Sequence, residues 1–282
     1  MDSAFKRAGR FDLKLAVGLP DKNARIKILQ IHGKNKKFAE NVDFEVVANK
    51  TVGFSGAELE SLLNEAALLA VDNNKTEITF DEIDDAFFKI VMQGNKKKRE
   101  EIDETTRVIA WHEAGHTLAT KLLTDDEVSS VTIIGSTSGA GGVTFRNPKE
   151  SVLQSKQYLR NSIMIMYAGR AAEQLFFNDD DKITTGASQD IRQATQIIKE
   201  YLGYYGMGDM GMLDVSQFKR DFDDIIQEAS EMSKTLYNET VMLLKKNKIS
   251  LETLANALIE KETLTQKEIE EIIQVTDKTC NT

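Results

Sequence analysis

Two histidines and a glutamate lie close together in the segment VIAWHEAGHTLATKLL, whose apolar residues recur with a helical period. His112 and His116 are four residues apart, so on a helix both imidazoles lie on one face and can bind one tetrahedral zinc ion. Glu113 projects beside them and is predicted to act as the general base toward an attacking water. The pattern therefore predicts a zinc-dependent endopeptidase site.

The motif itself does not contain the third ligand that a catalytic zinc ion requires. An extended metal-binding motif would need glycine and histidine where Ala119 and Leu122 stand, and the only other histidine, His32, lies far upstream. A carboxylate is therefore expected as the third ligand. The candidates downstream of the motif are Asp125, Asp126, Glu127, Glu173, the run Asp179, Asp180 and Asp181, and Asp190.

Position along the chain excludes some of these carboxylates as candidates for the third ligand. The first three follow the motif helix too closely to fold back onto it, and the aspartate run is typical of a solvated turn after Asn178. Glu173 and Asp190 remain, and spacing alone does not choose between them. The alternative role for Asp190 is that of an acidic residue in the first turn of a helix, where its charge interacts favourably with the helix dipole.

The elements that must position these residues are predicted to be mainly α-helical. In residues 1–95, helices are indicated from Asp21 to Gly33, at DFEVVANK, and after two capping boxes that begin at Ser55 and Thr79. These four helices predict a small helical bundle. The segment 96–105 places a basic run beside an acidic one without apolar residues, which favours an interdomain linker.

Residues 106–282 are predicted to form a second, helical domain with a short β-hairpin. The hairpin is indicated by the β-branched segments VSSVTII and VTF on either side of a glycine-rich stretch. Those glycines form no phosphate-binding loop, because the lysine and hydroxyl of that motif are missing. Helical periodicity predicts helices over residues 106–123, 155–177, 188–205, 215–246, 250–264 and 265–275.

Composition limits the classes of protein to which the chain can belong. Apolar residues make up 41% of it and charged residues 29%, which is typical of a soluble globular chain. The net charge of -9 argues against a nucleic-acid partner, and a single cysteine excludes an intrachain disulfide. We also expect no membrane-spanning segment in this chain, because no apolar run approaches about 20 residues.

Five motifs in series resemble the FtsH family of hexameric, membrane-anchored AAA zinc proteases. They are, in chain order, HEAGH, YAGRAAEQLFF, TTGASQDIRQAT, GMGDMG and LANALIEKETL. The resemblance implies that Asp190 is the third zinc ligand, with Glu173 as a carboxylate near the site and the reserve candidate. It further implies that an edge strand of the hairpin receives substrate by β-addition.

The first 95 residues are similar to the end of the same family's ATPase. In MDSAFKRAGRFD the resemblance implies that Arg7 and Arg10 reach the ATP of a neighbouring subunit. GFSGAELESLLNEAALLA resembles the helical lid, with Gly56 and Ala57 near the nucleotide. The nucleotide-binding core and the membrane helices of that family are not in this sequence, so ATP binding is expected only in the full-length context.

Two functions are consistent with this sequence. The first is a zinc endopeptidase that degrades unfolded or membrane proteins. In the full-length context it is expected to act within a homo-hexamer on the cytoplasmic side of a membrane. This chain by itself is expected to be soluble. The alternative is a non-catalytic assembly or scaffold fragment, suggested by the missing ATPase core. Stoichiometric zinc together with peptidase activity distinguishes the first from the second.

Overall fold

The computed structural model of the chain describes residues 17–97, 101–149, 153–209, 211–214 and 223–280. Within these residues the chain forms ten α-helices and five short strands, which confirms the prediction of a mainly α-helical fold. The described residues form two compact units, one ending at Phe87 and the other beginning at Phe88. Arg7 and Arg10 lie outside the described residues. None of the described helices has the length and apolar character needed to cross a membrane.

From residue 17 onward, the first unit is built from the four helices that the sequence predicts, the last of which continues past Phe87. Their bounds are α1 Lys22–Gly33, α2 Phe44–Lys50, α3 Gly56–Asp72 and α4 Phe80–Val91. Asp21 begins α1 by accepting a hydrogen bond from the Ala24 amide at 2.8 Å, as an N-cap does. His32 lies in the last turn of this helix. Leucines buried on α1 and α3 form the core, and these are Leu29, Leu59, Leu62 and Leu63.

Both predicted capping boxes lie at helix starts. Ser55 and Glu58 exchange hydrogen bonds at the beginning of α3, so Gly56 and Ala57 occupy the first turn of that helix. At α4 the Glu82 carboxylate accepts from the Thr79 amide at 3.1 Å and from the Thr79 hydroxyl at 2.6 Å. Glu82 is buried and also accepts from Lys75 Nζ at 2.7 Å. Glu82 therefore fixes the start of α4 to the preceding loop.

Replacing Glu82 by glutamine should destabilise the first unit in a pH-dependent way. Burial opposes ionisation of Glu82, but hydrogen bonds from Lys75, Thr79 and Asn73 outweigh it and lower the pKa of this carboxyl from 4.5 to about 2. A lowered pKa contributes stability that is present above the unfolded-state pKa and is lost as pH falls through the folded-state pKa. We expect Glu82→Gln to cost about 1–3 kcal/mol of unfolding free energy at pH 7.

The measurement is urea unfolding of both proteins between pH 7 and pH 2. The cost of Glu82→Gln should shrink as pH falls from about 4.5 towards 2, where the wild-type carboxyl also becomes protonated. Glu40→Gln, the same change at an exposed carboxylate, serves as the control and should be neutral within about 0.5 kcal/mol. A cost of Glu82→Gln that does not vary with pH would contradict this account.

In its described residues, the second unit contains six further α-helices and two small sheets. The helices are α5 Glu104–Leu123, α6 Lys156–Phe177, α7 Ser188–Gly203, α8 Asp223–Lys246, α9 Lys248–Lys261 and α10 Gln266–Cys280. The strands are β1 Lys96–Lys97, β2 Glu127–Thr132, β3 Gly135–Ser136, β4 Val143–Asn147 and β5 Thr263–Thr265. The larger sheet has the order β4-β2-β5, and β1 pairs with β3 in the other.

The predicted hairpin is confirmed, and the structure adds a third strand to it. β2 and β4 pair antiparallel with Val131 opposite Thr144, while β5 pairs antiparallel on the other side of β2. The prediction of a helix through residue 264 is wrong for its last residues. Glu262 takes a left-handed conformation with φ of 59°, which ends α9, and buried Leu264 then pairs with Val131.

The helix that carries the HEAGH motif begins earlier than predicted. Asp103 accepts a hydrogen bond from the Thr106 amide at 2.7 Å, and this cap starts α5 at Glu104 rather than at Thr106. In the segment 96–105, Lys96 and Lys97 form β1. The segment therefore contains regular structure at both of its ends.

Small residues bring α5 and α6 into close contact. A Cβ atom on Gly115 would lie 2.5 Å from the Ala168 carbonyl oxygen and 2.7 Å from the Ala172 Cβ, so glycine is required there. Ala114 and Ala171 are also fully buried in this core, which continues onto α9 and the larger sheet. The close approach allows side chains of α5 to reach groups on α6.

Candidate metal centre

His112 and His116 lie one turn apart on α5, and their Nε2 atoms are 3.0 Å from each other. The Nδ1 atom of His116 is 2.8 Å from the Ile165 carbonyl oxygen on α6. A carbonyl only accepts, so Nδ1 carries the proton and the Nε2 lone pair is free to bind a metal. The backbone of α6 thus sets both the tautomer and the orientation of this ring.

Asp190 is the carboxylate that the structure brings to the Nε2 side of the histidine pair. It lies in the first turn of α7, with its Oδ2 atom 3.3 Å from His112 Nε2 and 3.6 Å from His116 Nε2. Donor atoms bound at about 2.1 Å in a tetrahedron are separated by roughly 3.4 Å. The three donor atoms, which lie within 4.8 Å of one another, therefore fit a zinc ion in both type and spacing.

Glu173, the other carboxylate that sequence spacing left open, lies on the opposite side of the His112 ring. Its Oε1 atom is 2.8 Å from His112 Nδ1, and its Oε2 atom accepts from the Thr184 amide and hydroxyl at 3.0 and 2.9 Å. Glu173 is 1% exposed. Glu173 therefore contacts the ring nitrogen of His112 that is not part of the cluster of three donor atoms.

The charges around His112 favour a cation at this place. Burial opposes the charged form of His112, but hydrogen bonds to Asp190 and Glu173, together with the charge of Glu113, raise its pKa to about 10. Burial likewise opposes ionisation of Asp190, yet the two imidazoles hold the pKa of this carboxyl well below its usual range. A divalent ion placed between the donors would replace the proton as the compensating positive charge.

Glu113 lines the same cleft as the three donor residues, and the cleft has a volume of about 1180 Å³. The side chain of Glu113 is packed between α5 and β4, and the residue is 6% exposed. Its Oε2 atom accepts a hydrogen bond from the Thr144 hydroxyl at 2.8 Å. The general base predicted from the sequence therefore has a defined position at the edge of the sheet.

Sequence reasoning missed three residues that shape this centre, namely Gly169, Thr144 and Thr184. A Cβ atom on Gly169 would lie 2.6 Å from His116 Nε2 and still closer to the His112 ring. Its signal in the sequence is a glycine in the interior of a 22-residue helix, where glycine is unfavourable without a packing reason. The two threonines carry no comparable signal, because their contacts form only through the tertiary fold.

Gly169→Ala should impair metal binding while leaving the protein folded. Alanine favours a helix, but its methyl group would displace both imidazole rings from their present positions. We expect zinc affinity to fall by about tenfold or more, as for other perturbations of ligand orientation. Competition with a chromophoric chelator measures this affinity.

Gly203→Ala, in α7, is the matched control, because a Cβ atom there meets no heavy atom within 4 Å. Its zinc affinity should equal that of the wild type. Unchanged affinity in Gly169→Ala would show that the rings do not need the space beside this glycine.

A helical unit that brings His-Glu-x-x-His together with a carboxylate from a later helix defines a metallopeptidase type of site. The sequence model described as peptidase family M41 matches residues 99–272, and that of the AAA+ lid domain matches residues 41–85. The chain belongs to peptidase family M41. The resemblance inferred from the five motifs is thereby confirmed.

Relatives from several bacteria agree with this assignment. The ATP-dependent zinc metalloprotease FtsH of Lachnoclostridium phytofermentans is 43% identical over 96% of this chain and 48% of its own length. FtsH 1 of Alkaliphilus metalliredigens is 42% identical over 96% of this chain and 47% of its own. FtsH 3 of Phytoplasma mali is 39% identical over 99% of this chain and 46% of its own length. The chain thus spans about half the length of the curated relatives it matches.

Proposed function

We propose that this chain is a zinc-dependent endopeptidase and forms the proteolytic half of an FtsH-like, ATP-dependent protease. The observation that carries the proposal is the convergence of His112, His116 and Asp190, whose donor atoms lie within 4.8 Å of one another. Glu113 faces the same cleft. Two imidazoles and a carboxylate suit zinc, and they leave a fourth position free for a reactant.

In this proposal, residues of the chain bind the metal ion, orient the two imidazoles and transfer the proton of the attacking water. His112, His116 and Asp190 would hold a zinc ion, which would supply Lewis acidity toward the scissile carbonyl and the attacking water. Glu113 accepts the proton of the attacking water and passes it to the nitrogen of the leaving amine. Glu173 and the Ile165 carbonyl hold the two imidazoles in place, so the rings need not reorganise during turnover.

Extended, unfolded polypeptide is the proposed substrate. β4 lies at the edge of its three-stranded sheet, and its residues Val143, Thr144 and Arg146 line the cleft. An edge strand can accept a further strand through main-chain hydrogen bonds, which depend little on the side chains of the substrate. This mode suits a protease that degrades many different unfolded or membrane proteins.

The wider context of the activity is also a proposal. The match to the AAA+ lid domain supports residues 1–95 as the end of an ATPase, residues 96–105 as a linker and residues 106–282 as the protease domain. Arg7 and Arg10 are proposed to reach the ATP of a neighbouring subunit, with Gly56 and Ala57 near the nucleotide. A homo-hexamer attached to a membrane, with this part on the cytoplasmic side, is likewise proposed from the resemblance of the five motifs to the FtsH family.

Glu113→Gln should abolish proteolysis without loss of zinc. Glutamine has nearly the same shape but cannot accept the proton, and general-base catalysis contributes about 10²–10⁴-fold to rate. The measurement is cleavage of casein by both proteins, together with zinc content by atomic absorption. Equal activity in both proteins would reject the role of Glu113, and zinc without activity in the wild type would favour a scaffold instead.

Asp190→Asn should weaken zinc binding far more than Glu173→Gln does. An asparagine oxygen carries no charge and is a poor zinc ligand, whereas loss of a carboxylate that only orients a histidine costs about 10–100-fold in affinity. Both variants are compared by zinc titration against a chelator. If Glu173→Gln lost the metal and Asp190→Asn kept it, the two carboxylates would have exchanged roles.

A further inference from the structure

The side chain of Glu113 contacts β4 on one side and the loop before β4 on the other. On one side the Thr144 hydroxyl lies 2.8 Å from Glu113 Oε2 and 3.2 Å from the Glu113 carbonyl oxygen. A hydroxyl has one proton to donate, and it goes to the nearer, charged oxygen because bonds to ionised acceptors are the stronger ones. The Thr144 hydroxyl has one other hydroxyl near it, that of Thr117, at the longer distance of 3.4 Å.

On the other side, the backbone of the loop before β4 lies against the same side chain. A Cβ atom on Gly142 would come within 2.9 Å of Glu113 Cγ and 3.1 Å of Glu113 Oε1. It would also lie 2.8 Å from the Thr132 carbonyl oxygen, so a larger residue would move the strand. Gly142 therefore allows β4 to approach the motif helix closely enough for the Thr144 hydroxyl to reach Glu113.

The position of Thr144 does not depend on the metal centre. Thr144 is paired with Val131 of β2, and β2 is in turn paired with β5 on its far side. The hydroxyl is thus fixed by a sheet, whereas the Glu113 side chain has three rotatable bonds of its own. Among the described residues, Oε1 of Glu113 accepts no hydrogen bond, so only one of its two oxygens is engaged.

We propose that Thr144 is a positioning residue for the general base, a role that rests on the endopeptidase function proposed above. Its hydroxyl occupies Oε2 and turns Oε1 towards the cleft, where the proton of the attacking water is taken up. The same strand then has two tasks, since its outer edge is open to an extended peptide and its inner face fixes the base. Substrate and base are thereby held by one rigid element.

Thr144→Val and Thr144→Ser test this role in the whole chain. Valine keeps the shape of threonine and removes the hydroxyl, so kcat for casein cleavage should fall about tenfold, because a base contributes fully only when it is correctly placed. KM and zinc content should stay within about twofold of the wild type, because neither depends on this hydroxyl. Serine keeps the hydroxyl and should retain at least half of the wild-type kcat.

Thr263→Val is the matched control. It removes a hydroxyl from β5, at the opposite edge of the same sheet, where the hydroxyl bonds to that of Thr132 at 2.8 Å. Its kcat should equal the wild-type value. A tenfold loss in both valine variants would assign the effect to the sheet as a whole and overturn the proposal for Thr144.

Crystal structures of the wild type, Thr144→Val and Thr144→Ser provide a readout that needs no activity. Glu113 should occupy one position with Oε2 on the hydroxyl in the wild type and in the serine variant, and should turn away from β4 in the valine variant. An unmoved Glu113 in Thr144→Val, or an unchanged kcat, would overturn the positioning role. If the wild type cleaves nothing, the proposed function fails, and the crystal structures still decide whether Thr144 orients Glu113.

Discussion

The close contact between α5 and α6 controls the distance between the imidazole pair and every group that orients it. Gly115 on α5 leaves no room for a side chain against Ala168 and Ala172, and Gly169 on α6 leaves the space in which the two rings lie. A separation larger by one methyl group would break the hydrogen bonds of His112 to Glu173 and of His116 to Ile165. The precision of the site is therefore a property of helix packing rather than of the motif alone.

Glu173 connects the two parts of the candidate centre that come from distant segments. One of its oxygens contacts His112 and the other accepts from the backbone and side chain of Thr184, in the loop that leads to α7. The Arg170 guanidinium donates to the Thr184 carbonyl oxygen at 3.1 Å and holds the same residue from its other side. The orientation of the histidine and the approach of Asp190 are thus linked through α6.

Electrostatics explains why so polar a cluster can exist in a largely buried place. Asp190, Glu173 and Glu113 surround two imidazoles, and unpaired buried carboxylates would carry a large desolvation penalty. Each carboxylate has a donor, and the open space between Asp190 and the Nε2 atoms accommodates a divalent cation. The cluster therefore meets the charge requirements of a site for a divalent cation.

The sequence by itself determined the local features of this protein. Helix caps at Asp21, Ser55 and Thr79, the spacing of His112 and His116, and the β-branched flanks of the hairpin act over a few residues, so they can be recognised without a fold. β5 was missed for the opposite reason, because Thr263–Thr265 continues a helical pattern and becomes a strand only when β2 is beside it. Local propensity there yields to a tertiary partner.

Only the tertiary structure decided which carboxylate faces which nitrogen of His112. Asp190 and Glu173 both carry a carboxylate, and spacing within a helix carries no information about a residue 60 or more positions away. The packing of α6 and α7 on α5 sends Glu173 to Nδ1 and Asp190 to Nε2. The contact of Thr144 with Glu113 has the same origin, since a strand and a helix meet there only in the folded chain.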